Sequence, residues 1–147
     1  MKEIQIYTDG ACKGNPGPGG WGAVLKYNDY RKELSGFVPD TTNNRMEILA
    51  VIKALLELKK SCVVNIFSDS QYVCNAVNKG WAKKWQKNNW MKNKKEKALN
   101  TDLWEEFLKL SKNHKISFTW VRGHNGNEEN ERCDRLAVLA IEKNIRV

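Results

Sequence analysis

At 147 residues, 41% of them hydrophobic and 10% aromatic, the chain has the length of one domain and the composition of a globular protein, not of a disordered segment. No apolar run nears the roughly 18 residues of a membrane span. Met1-Lys2-Glu3 lead straight into a strand without room for a presequence, and Cys12, Cys62, Cys74 and Cys133 form no C-x-x-C pair, so a zinc module or a disulfide framework is not indicated and a reduced, cytoplasmic setting is expected. The net charge is +8, and +7 of it lies in residues 79–97, where eight lysines accompany one acid, Glu96; that concentration points to a polyanionic partner.

Residues 4–9 gather β-branched and aromatic side chains and predict a first strand, with Asp9 near its far end. The stretch that follows, to residue 22, holds six of the ten glycines and two of the three prolines, so a wide, long-turned hairpin is expected before 23–27 resume as a second strand. An Asp beside a Gly is ordinarily turn chemistry. Residues 31–38 read as a third strand, which Pro39-Asp40 breaks.

Residues 41–58 open with Thr and Asn, good N-caps, and continue with apolar spacing near 3.6, predicting a helix. Glu47 falls on its apolar stripe with Val51, Ala54, Leu55 and Leu58. A carboxylate there is costly unless paired or bound to a cation. Residues 63–70 are a short apolar run, read as a buried central strand ending in Asp69, with a helix over 71–77. In an open α/β sheet, chemistry gathers beyond the carboxyl ends of parallel strands. Asp69 would sit there, unless it or Ser70 only caps the helix.

The lysine-rich segment 79–97 contains Trp81, Trp85 and Trp90. Trp81 and Trp85 are four apart and would share a helix face, docking a basic rim that includes Lys83, Lys84 and Lys87. Residues 100–110 predict an amphipathic helix capped by Thr101 or Asn100, and 116–121 alternate as a strand. A polar loop, 122–127, leads to a last helix over about 129–143, where Asp134 shares a stripe with Ala137, Val138 and Ile141. The expected fold class is α/β: three antiparallel strands, then two parallel additions, in a five-stranded mixed sheet with helices on both faces and right-handed crossovers, all in a single domain spanning 1–147.

Residues 17–22 formally match the G-x-G-x-x-G dinucleotide fingerprint. That motif needs a helix after the glycines; here a strand follows and Pro18 lies inside the turn, so it is rejected. Asp9, Glu47, Asp69 and Asp134 are more informative as a group, since each falls where a strand or helix is buried or points at the sheet's carboxyl edge. Four converging carboxylates would repel one another unless divalent cations intervened. Hard oxygen donors without a Cys/His cluster suit Mg²⁺ or Mn²⁺ rather than zinc. Two such ions about 4 Å apart would activate water and stabilise the leaving oxygen of a phosphodiester.

Five segments then carry a family resemblance. They are Tyr7-Thr8-Asp9-Gly10-Ala11 with Gly14-Asn15-Pro16-Gly17, Thr42-Asn43-Asn44-Arg45-Met46-Glu47, Ser68-Asp69-Ser70-Gln71-Tyr72, Trp120-Val121-Arg122-Gly123-His124, and Asn130-Glu131-Arg132-Cys133-Asp134. Together, in order and over essentially the whole chain, they resemble type 1 ribonuclease H in its bacterial form. The resemblance implies endonucleolytic hydrolysis of the RNA strand of RNA–DNA hybrids, leaving 5′-phosphate and 3′-hydroxyl ends. It implies that Asp9, Glu47, Asp69 and Asp134 hold two metal ions when substrate is bound, and that His124 assists proton transfer or product departure. It also implies that Cys12, Asn15, Asn43, Asn44 and Gln71 line the groove against hybrid backbone and the 2′-hydroxyls that mark RNA, and that the Lys/Trp segment is the family's basic protrusion. Thr42 and Asn100 resemble a pocket for a DNA-strand phosphate, although Asp40 stands where many relatives have arginine, which bears on that pocket's strength. His114 matches no motif and is expected at the surface. No separate hybrid-binding domain and a monomeric state are expected. A DNA-cutting or DNA-joining relative of the fold is the enzymatic rival, against which Asn43, Asn44, Gln71 and the protrusion argue. A non-catalytic nucleic-acid-binding module is the rival from another class, against which the four carboxylates argue.

Overall fold

A computed structural model describes residues 1–122 and 127–145. Strands β1 (Lys2–Cys12), β2 (Gly17–Tyr27) and β3 (Tyr30–Thr41) form an antiparallel meander, and helix α1 (Asn43–Leu56) follows. Strand β4 (Cys62–Ser68) runs parallel to β1 and precedes the short helices α2 (Gln71–Asn78) and α3 (Trp81–Lys87). After α4 (Thr101–Ser111), β5 (Lys115–Trp120) adds parallel to β4, and α5 (Glu128–Asn144) closes the chain. The sheet order is β3-β2-β1-β4-β5, the five-stranded mixed sheet expected from the sequence.

Two expectations about the hairpin need correction. The glycine-rich stretch is not a long turn: β2 already begins at Gly17, and only residues 13–16 connect it to β1. The glycines inside the strand serve helix packing. A Cβ at Gly20 would lie 2.2 Å from the Ala137 carbonyl oxygen, and one at Gly22 2.3 Å from that of Cys133, so α5 rests directly on the backbone of β2. On the other face, a Cβ at Gly10 would lie 2.6 Å from the amide nitrogen of Glu47, so α1 approaches β1 equally closely. Nor does Pro39-Asp40 end β3, which continues to Thr41. β3 is an edge strand, where a missing N–H is tolerated, and the register shift between Gly17 and Gly19 accommodates the two residues as a bulge.

The core lies between the sheet and the α1/α4 side. Ile6, Val64 and Ile66 meet Met46, Ile48, Val51 and Leu55 of α1 and Trp104 and Phe107 of α4, all buried. Side chains of this kind each contribute about 1.5–3 kcal/mol by burial. Trp81 and Trp85 pack half-buried against this cluster, their ring centroids 6.4 Å apart, which leaves the lysines between and beyond them in solvent. Among the described residues, no helix is long and apolar enough to cross a membrane.

Candidate active site

Because β1 and β4 are parallel and adjacent, their carboxyl ends emerge at the same edge of the sheet. Asp9 lies near the end of β1, and Asp69 immediately follows Ser68, the last residue of β4. Ser70, not Asp69, is the cap of α2: its Oγ accepts from the amide of Val73 at 3.2 Å. The Asp69 carboxylate is thus not used as a cap, while Trp120 Nε1 donates to its backbone carbonyl at 3.1 Å and fixes the chain there. Glu47 arrives from the second turn of α1. Thr42 starts that helix, its Oγ1 accepting from Arg45 N at 3.3 Å, and Gly10 admits it to contact with β1.

Asp9, Glu47 and Asp69 each offer an oxygen within 4.8 Å of the others'. Asp9 is 7% and Glu47 4% exposed. Asp134, on α5, lines the same cavity of about 420 Å³ but stands outside this close triad. Burial, then the neighbouring Asp69 charge, pushes the Asp9 pKa up to about 8. Burial, then Asp9 and Asp69, pushes Glu47 well above the usual carboxylate range. Gly10 N donates to Asp9 Oδ1 at 2.9 Å, and Glu47 Oε1, buried, has no hydrogen-bond partner among the described residues. An orphaned carboxylate oxygen within an all-oxygen donor set fits a hard divalent cation held between these side chains.

Asn43, Asn44 and Gln71 line the cavity from the first turns of α1 and α2, exposed beside the carboxylates. Asn15 Oδ1 accepts from Asn43 N at 3.0 Å and ties the β1–β2 connection to the start of α1. Cys12 lies half-buried at the end of β1, with Gly17 O and Thr41 O at 3.5 and 3.4 Å from its sulfur. Burial raises its thiol pKa, and exposed Asp40 adds to the effect. Asn100 adopts φ +61° and donates to Tyr72 Oη at 3.1 Å.

Two residues absent from the sequence-based site set join these groups. Tyr72 lines the carboxylate cavity and also a groove of about 840 Å³ that contains Trp81, Lys84, Trp85 and Lys87, so it bridges the two. Arg45 reaches Asn100 Oδ1 at 3.4 Å and grips Asp102 through two bonds of 2.9 and 2.7 Å. Both residues lie inside the motif segments; only the sequence-distant contacts reveal their roles. Lys83 departs from its neighbours and lines a separate cleft with Phe107, Leu108 and His114. His114 is not a surface residue as expected: it is half-buried, and its Nδ1 accepts from Cys62 N at 3.1 Å. His124 lies outside the described residues.

A cluster of oxygen donors at the carboxyl edge of a mixed α/β sheet is able to hold a metal ion. The family model "RNase H" matches residues 1–142. A ribonuclease H of Desulforamulus reducens is 64% identical over 95% of this chain and 88% of its own, and one of Syntrophus aciditrophicus is 62% identical over 93% and 79%. Among solved structures, LC11-RNase H1 in complex with RNA/DNA hybrid superposes with TM-score 0.76 at 25% identity, covering 97% of this chain and 99% of that one. LC9-RNase H1, a type 1 RNase H with the type 2 active-site motif, gives 0.86 at 31% identity, covering 97% and 74%. The chain belongs to the ribonuclease H family.

Proposed function

We propose that the chain is an endonuclease that hydrolyses the RNA strand of RNA–DNA hybrids to 5′-phosphate and 3′-hydroxyl ends, with Asp9, Glu47, Asp69 and Asp134 as ligands for two Mg²⁺ ions, or Mn²⁺ in their place. The observation that carries the reading is the triad of acids within 4.8 Å, one oxygen of which has no hydrogen-bond partner among the described residues. The relatives called ribonuclease H and the neighbour solved with an RNA/DNA hybrid support the substrate.

Bound cations would polarise a water and neutralise charge on the leaving oxygen of the scissile phosphodiester. The chain's own residues do the rest. Asp9 and Asp69, fixed by the ends of two parallel strands, and Glu47, fixed by its helix, form a rigid donor set that needs little rearrangement on binding. Exposed amides of Asn43, Asn44 and Gln71 stand beside them and offer donors and acceptors to sugar and phosphate, including the 2′-hydroxyl that distinguishes RNA. Asn15 holds Asn43 in place, Cys12 would add to the groove wall, and Thr42 with Asn100 would receive a DNA-strand phosphate near Arg45. Lys84, Lys87, Trp81 and Trp85 form the wall of a second groove toward which the duplex would continue; Lys83 would act only at longer range. His124 would move a proton at the reacting phosphate or help product leave. The chain would act as a monomer in the cytoplasm.

The direct test is cleavage of a uniformly labelled RNA–DNA hybrid with Mg²⁺, beside RNA–RNA and DNA–DNA duplexes. Selective cutting of RNA in the hybrid is expected. Cutting of DNA, or none at all, would sink the reading.

A further inference from the structure

Two kinds of contact hold α5, the helix that carries Asp134, on the sheet. In its middle, the carbonyls of Cys133 and Ala137 rest on Gly22 and Gly20, and Cys133 Sγ donates to Tyr7 O at 3.2 Å. At its N-terminal end the contact is ionic. Arg31 donates to Glu129 through Nη2–Oε1 at 2.8 Å and Nε–Oε2 at 3.0 Å, and Lys26 Nζ lies 3.4 Å from Glu129 Oε2. Arg132 donates to the two oxygens of Glu33 at 2.7 and 3.0 Å, and Arg31 reaches Glu33 at 2.9 Å. Five side chains from β2, β3 and α5 therefore form one belt in which each acid is shared by two cations.

Lone surface ion pairs contribute little, but bidentate Arg–carboxylate pairs joined in a network are the exception. Both acids of the belt are fully engaged within it. Its location is what matters. It grips residues 129 and 132, on the N-terminal side of Asp134, while the glycine contacts grip 133 and 137. Asp134 is also the acid that stands outside the close triad, so its reach to a cation depends on where the helix lies.

We propose that Glu33, through Arg132 and Arg31, is a positioning residue for Asp134: the belt sets how the first turns of α5 lie on the sheet, and so how Asp134 meets a cation held by Asp9, Glu47 and Asp69. This rests on the reading of Asp134 as a metal ligand. Glu33 belongs to β3 and touches neither cavity wall nor substrate groove, so its effect would reach the site only through α5.

The test is calorimetric titration with Mn²⁺ alone on the wild type, Asp134→Asn, Glu33→Gln, Arg132→Gln and Arg132→Lys, with kcat and KM on hybrid alongside. The dissociation constant should rise about 3- to 10-fold in Glu33→Gln and Arg132→Gln, less than the 10–100-fold of a partner bonded directly to a ligand. In both, kcat should fall with KM unchanged, and Arg132→Lys should recover most of the loss. Wild-type Mn²⁺ affinity and kcat in the two Gln variants, with only the melting temperature moved, would make the belt purely structural and overturn the proposal. Should Asp134→Asn bind Mn²⁺ like the wild type, the ligand reading itself fails, and the positioning role goes with it.

Discussion

At the carboxyl edge of the sheet, Asp9 is buried against other acids and its pKa is pushed up to about 8; on β3, Glu33 lies between Arg132 and Arg31, whose hydrogen bonds hold it down at about 2. The same functional group is thus destabilised in one region and stabilised in the other. In the belt, each acid is balanced by two cations and serves packing. In the cavity, burial and repulsion oppose folding of the metal-free protein, and a cation would remove both penalties at once. The contrast separates carboxylates whose charge the fold satisfies from carboxylates whose charge it leaves opposed.

The largest effect that could break this contrast is at Asp9. Asp9→Asn or Asp69→Asn should abolish cleavage. In the metal-free protein, Asp9→Asn should melt at or above the wild-type temperature at pH 8. The sign follows from linkage: with Asp9 raised well above the unfolded carboxylate value near 3.9, the folded wild type takes up the extra proton first as pH falls. Wild-type stability should therefore rise from pH 8 toward 4, and the mutant's advantage should shrink over that window. Glu33 runs the other way, its contribution present above about pH 4 and lost as pH falls toward 2. Adding Mg²⁺ should raise the wild-type melting temperature more than the mutant's. Full activity in Asp9→Asn at saturating Mg²⁺ would end the assignment.

Next in size is His124. His124→Ala should lower kcat about 10²-fold, the lower end for a group that moves protons, with hybrid affinity little changed. Single-turnover kinetics beside equilibrium binding would measure both; an unaltered rate would remove the residue from the catalytic set. Smaller again, and read here as stability, is Gly22→Ala. The added methyl meets the Cys133 carbonyl and must push α5 outward, so a loss of about 1–3 kcal/mol is expected in denaturant unfolding.

The glycines show where sequence reading succeeded and where it stopped. The order of elements along the chain, the parallel relation of β1, β4 and β5, and the positions of Asp9, Glu47 and Asp69 at strand ends or on a helix stripe were all legible, because period and breaker signals are local. Gly19, Gly20 and Gly22 were mistaken for a turn because their purpose is not local: they make room for α1 and α5, 27 to 121 residues further along the chain. His114 was expected at the surface for the same reason, its partner Cys62 lying 52 residues earlier. Lys83, Lys84 and Lys87 looked alike as neighbours in a basic run. Only the packing of Trp81 and Trp85 determines which side each one faces.

That last distinction yields the finest prediction. Lys84 and Lys87 line the groove with Tyr72, Trp81 and Trp85, and this groove meets the carboxylate cavity at Tyr72. Lys83 instead faces the cleft formed by Phe107, Leu108 and His114. A lysine that touches a phosphate displaces a condensed counterion, so each contact adds nearly one unit to the slope of log affinity against log salt. A lysine elsewhere on the same helix adds only a screened, distant attraction. Binding should be measured across a salt series with the inactive Asp9→Asn protein, so that the hybrid survives. Lys84→Ala with Lys87→Ala should weaken binding and flatten the slope by roughly two units. Lys83→Ala should leave the slope nearly unchanged, and in the active background none of the three changes should alter kcat at saturating hybrid. Equal flattening by all three would mean that the segment attracts the duplex only as a diffuse cloud of charge, and that the aromatic groove does not select which lysines meet the phosphates.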